Sequence, residues 1–87
     1  MAQLDIADID TSAMPPEMAG DVYFQLGMMY ASGRSVRSNL ITAHKCFNLA
    51  AAKGNTAAVR YRGDLAKEMT AAEVAEAQRQ AREWLAN

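Results

Sequence analysis

Between Pro15 and Leu85 the apolar residues fall at three- and four-residue intervals in four runs, each bounded by its own start or stop signal. That interval is one face of an α-helix, since about 3.6 residues complete a turn. A short helix with one apolar face is unstable alone and must bury that face against another element. Four such runs with polar breaks between them therefore predict an all-α fold of about four helices, paired as antiparallel hairpins.

The first run opens at Met14, Pro15, Pro16 and Glu17. Proline is tolerated in a helix's first turn, and an acid there suits the helix dipole. Ala19, Val22, Tyr23, Leu26 and Tyr30 form the stripe, and Ser32 and Gly33 end it. Residues 34–38 read as a loop, with Ser38 or Asn39 as the next cap. The second stripe is Leu40, Ala43, Phe47, Ala50 and Ala51, stopped at Gly54 after Lys53. A third runs from Asn55 or Thr56 to Met69 through Ala58, Tyr61 and Leu65. Thr70 and Glu73 have capping-box spacing, and the fourth stripe is Val74, Ala77, Ala81, Trp84 and Leu85. Glu76, Arg79 and Glu83 lie on its opposite face, spaced for exposed ion pairs.

The chain thus divides into a tail at 1–14, a helical body at 15–69 and a C-terminal helix at 70–87 that caps it. The tail sets Leu4, Ile6 and Ile9 between Asp5, Asp8 and Asp10. It reads either as a flexible acidic-hydrophobic end or as a segment that docks on a partner.

Composition narrows the function classes. Half of the chain is hydrophobic (51%), but eighteen of those residues are alanine, so helices pack closely around few bulky groups. The formal net charge is -1 with both signs interspersed, and no basic stripe suits a phosphate backbone. Nucleic acid is not an expected partner. No apolar stretch reaches the roughly 20 residues of a membrane-spanning helix. Residues 1–10 show no basic start followed by an apolar run, so a cytoplasmic location is expected.

Self-similarity adds a further constraint. The segment from Val22 to Tyr30 is echoed by Ala58 to Gly63, with Gly27 and Gly63 36 residues apart, a period that accommodates one helix pair. The residues Leu26, Gly27, Tyr30, Gly33, Val36, Ala43, Phe47, Ala50, Ala51 and Gly54, with Ala58 and Gly63 opening a second unit, resemble the Sel1-like repeat, a tetratricopeptide-like helix pair. The resemblance covers residues 22–63 and departs at Ser35, Asn39, Cys46 and Arg62, where the family has glycine, aspartate, tryptophan and leucine. It implies hairpins stacked as a short α-solenoid of small bacterial type, in which Gly27 admits a close helix. Arg62 suggests that the stack ends there.

Such proteins look like adaptors, and the resemblance implies a groove on the first helix of each pair. Carried onto this chain, it puts Asp21, Phe24, Met28 and Ser32 on the groove side of the first helix, and Arg60, Asp64 and Lys67 on that of the third. The implied function is a non-enzymatic adaptor for a protein or peptide. The alternative is a small accessory subunit or assembly factor built into a larger bacterial complex, and a homo-oligomer is compatible with both.

Catalytic chemistry finds no candidates. His44 and Cys46 are two residues apart on a helix, about 200° around its axis, so they are not a nucleophile–base pair. His44 is expected to be half-exposed and Cys46 a small core residue. One His and one Cys do not make a metal cage, and no phosphate loop or nucleophile elbow is present. No cofactor is expected.

Overall fold

A computed structural model describes residues 9–34 and 37–86. Ser35 and Val36 of the expected loop, Asn87, and Leu4, Asp5, Ile6 and Asp8 of the tail lie outside the described residues. All regular structure among those described is helical: α1 (Pro16–Ser32), α2 (Leu40–Ala52), α3 (Thr56–Ala66) and α4 (Ala71–Ala86).

Local chemistry sets each boundary. Pro16 occupies the first turn of α1, where its missing N–H costs nothing. Gly33 ends α1 in the left-handed region (φ 75°), and its N–H bonds the carbonyl of Met29. The Asn39 side chain accepts from the Thr42 amide at 3.0 Å and caps α2. At the other end of α2, Gly54 (φ 98°) bonds Ala51 and Asn55 bonds Ala50, the paired pattern of a Schellman turn. Asn55 then caps α3 by accepting from Ala58 at 3.1 Å, so one residue closes one helix and opens the next. The turn also ties to α1, through Asn55 Nδ2 to Asp21 Oδ1 at 3.2 Å.

Helix α3 is shorter than its apolar stripe suggests. It stops at Ala66, and Lys67, Glu68 and Met69 continue as tight turns bonded three residues back. The reason lies just beyond, where Thr70 and Glu73 exchange bonds of 3.1 and 2.8 Å and start α4 in a new direction.

The core is Ala19, Tyr23, Leu26 and Tyr30 from α1, Ala43, Cys46, Phe47, Leu49 and Ala50 from α2, Ala58 and Leu65 from α3, and Ala81 from α4. Every other helix makes its most extensive contact with α2. Two hairpins side by side would have made α4 the close partner of α3. Instead α4 lies across α2 and reaches α1, where Trp84 Nε1 donates to Tyr23 Oη at 3.1 Å. Residues 9–14 close over the same point. Ile9 and Met14 pack against the core, and the Thr11 and Tyr23 hydroxyls are 3.0 Å apart.

Gly27 and Gly63 show the difference between the two pairs. A Cβ built on Gly27 would stand 2.5 Å from Phe47 Cε1, so α2 reaches α1 only because residue 27 has no side chain. A Cβ on Gly63 would meet nothing within 4 Å.

Candidate functional site

On α1 the residues one position beyond the buried stripe turn toward α3. Phe24 is half-buried, with its ring centroid 5.8 Å from that of Phe47 and 5.2 Å, edge-on, from that of Tyr61. Phe47 and Tyr61 complete the triangle at 6.0 Å. Such offset and edge-to-face arrangements are favourable beyond the area they bury. Beside this ring cluster lies an open cleft of about 270 Å³, lined by Met28, Ala31 and Ser32 of α1, Phe47 of α2, Tyr61, Asp64 and Leu65 of α3, and Glu68 just beyond it.

Of the seven residues placed on the groove side from sequence, Met28, Ser32 and Asp64 line this cleft. Phe24 backs it through its contacts with Phe47 and Tyr61, and works as core edge as much as surface. Asp21 is held by Asn55 at the far end of α1. Arg60 and Lys67 are exposed on α3 and its turn and do not line the cleft, though Lys67 lies 3.8 Å from Asp64, which does. The sequence reading missed Tyr61 and Glu68. Tyr61 lies on the α3 stripe and was placed in the core, yet it is 42% exposed. Glu68 follows Asp64 by one helical step, and that spacing was the available signal.

A second polar group lies between α2 and α3. His44 is buried, at 2% exposure, and not half-exposed as expected. Its burial comes from tertiary packing, which spacing within one helix does not reveal. Arg62 Nη1 donates to Asn48 Oδ1 at 2.8 Å, which turns the amide so that Nδ2 faces His44 Nδ1 at 3.1 Å. In that geometry His44 Nδ1 accepts, and its proton sits on Nε2. Burial lowers the His44 pKa from 6.5, and the Arg62 charge adds to the effect.

Cys46 is fully buried, and its thiol is pushed up to about 12 by burial, against the opposing charge of Lys45. A thiol in that state is not a nucleophile at neutral pH. On the exposed face of α4, Arg79 bonds Glu76 and Glu83, and Gln80 bonds Glu76 at 2.8 Å. Those bonds, Arg79's foremost, hold the Glu76 carboxyl near 2. Among the described residues no three of His, Cys, Asp and Glu cluster in a way that holds a metal ion, and no helix is long and apolar enough to cross a membrane.

What the cleft offers is apolar contact with an acidic edge. Comparisons add no relative to this geometry. No family model matches the chain, nor does any curated protein or solved structure.

Proposed function

We propose that this chain is a non-enzymatic interaction module that captures a protein or peptide in the cleft between α1 and α3. The observation that carries the reading is the exposure of Met28 (37%) and Tyr61 (42%) on the two sides of one cleft floored by Phe47 and Leu65. Isolated apolar residues on a surface need no explanation, but two that converge on a concavity with an aromatic floor make an anchor site. Methionine suits such a wall because its side chain adapts to what it meets. We further propose that α1 to α3 are a short Sel1-like solenoid of bacterial type, with α4 as its terminal cap, working in the cytoplasm. The close contact at Gly27, the left-handed Gly33 and the buried Tyr30 support that reading.

The test is retention of partners by the intact chain and by a Met28→Ala, Tyr61→Ala variant. Phe24 is a poor probe, because its ring also packs on Phe47. A partner held equally well by a folded double variant places recognition elsewhere.

A second reading, an accessory subunit built permanently into a larger complex, draws on Met18 (52%), Val59 (49%) and Leu85 (48%), exposed apolar residues outside the cleft. A stable monomer in sedimentation at micromolar concentration speaks against it.

A further inference from the structure

The cleft's polar edge has one sign. Its apolar wall is Met28, Phe47, Tyr61 and Leu65, its two charged lining residues are Asp64 and Glu68, and no basic side chain lines it. Asp64 and Glu68 are four residues apart in the chain, where like charges face the same side of a helical path. The nearest compensation is Lys67, 3.8 Å from Asp64, in a pair whose side chains are 80% and 64% exposed. An ion pair that open is weak, and an incoming cation can readily displace Lys67 from Asp64. Among the described residues no cation pairs with Glu68. With Lys67 set against Asp64 and no cation against Glu68, the edge keeps a net negative charge.

Size limits the occupant as well. About 270 Å³ lies just under the roughly 300–1,000 Å³ of small-molecule sites, and the wall offers few directional hydrogen-bonding groups. A cleft of this kind takes a side chain of a larger partner.

We infer that the cleft receives a cationic peptide segment, with one large apolar side chain on the Phe47–Leu65 floor between Met28 and Tyr61 and lysine or arginine beside it meeting Asp64 and Glu68. This deepens the interaction reading above and rests on it. Apolar contact supplies the anchor, while the opposite charges set register, speed encounter and reject acidic partners.

The test pans displayed random dodecapeptides against the intact chain at low salt. Affinities of the selected peptides are measured by fluorescence anisotropy, and their site is mapped by amide chemical shifts. The expected peptides carry lysine or arginine beside a leucine, isoleucine or aromatic residue, with shifts concentrated on residues 28–32 and 61–68. Asp64→Lys together with Glu68→Lys weakens them by about tenfold or more without moving the thermal midpoint, and added salt weakens them likewise. Peptides that map to the cleft but are neutral or acidic, or ignore the double reversal, overturn the charge assignment and leave the interaction reading standing. Absence of any peptide that maps to the cleft removes both. Self-association through the cleft, seen in sedimentation and abolished by Tyr61→Ala, gives the surface to a second copy and also overturns the inference.

Discussion

The ring of Phe47 occupies the space that a side chain on Gly27 would need, with Cε1 2.5 Å from where a Cβ would stand. Phe47 is 1% exposed and also touches Phe24 and Tyr61, so its ring has little freedom to retreat. The same ring therefore sets how close α2 comes to α1 and where the floor of the cleft lies.

Gly27→Ala should destabilise the fold and Gly63→Ala should not. At residue 27 overpacking costs about 1–3 kcal/mol, against a helix-propensity gain of up to about 1 kcal/mol. At residue 63, a helical position with open space around it, only the gain applies. Urea unfolding of the two variants should move in opposite directions.

Tyr23→Phe should cost about 1–2 kcal/mol, because Trp84 Nε1 and the Thr11 hydroxyl both lose their partner. Trp84 is the single tryptophan, so its emission reports the change directly. Thr11→Ala, which leaves the Trp84 bond intact, should cost less.

Acid should weaken the fold through His44 before the carboxylates titrate. Its folded-state pKa is lowered below 6.5, by burial first and Arg62 second. The unfolded chain then binds the proton more readily, so stability is complete above pH 6.5 and declines as pH falls below it, levelling off below the folded-state value. A protonated Nδ1 would also face the Asn48 amide donor. Asp10 and Glu76 are shifted down from 3.8 and 4.5, so their losses come at lower pH. Arg62→Leu should relieve only the smaller part of the His44 effect. Urea midpoints measured from pH 8 to pH 5 check it.

Cys46 should resist thiol reagents in the native state and react only as the chain opens. Its burial and its pKa near 12 leave almost no accessible thiolate at neutral pH. Labelling rates that rise with urea in step with global unfolding are the expected result. Fast labelling in buffer alone would show that α2 opens locally.

Much of the secondary structure was legible because its signals are local. Gly33, Asn39, Gly54, Asn55 and the Thr70–Glu73 box each act on amides or carbonyls within a few residues, so sequence spacing contains the whole interaction. Met28, Ser32 and Asp64, which the resemblance to helix-pair repeats put on one groove, do line one cleft. The fold alone decided which surfaces meet. A helix presents the same stripe to any partner; tertiary packing lays α4 on α2, and Trp84 bonds Tyr23, 61 residues away, on α1. The burial of His44 and the outward turn of Tyr61 follow from the way the helices assemble. Each depends on groups from different helices, and no spacing along one helix encodes their distance.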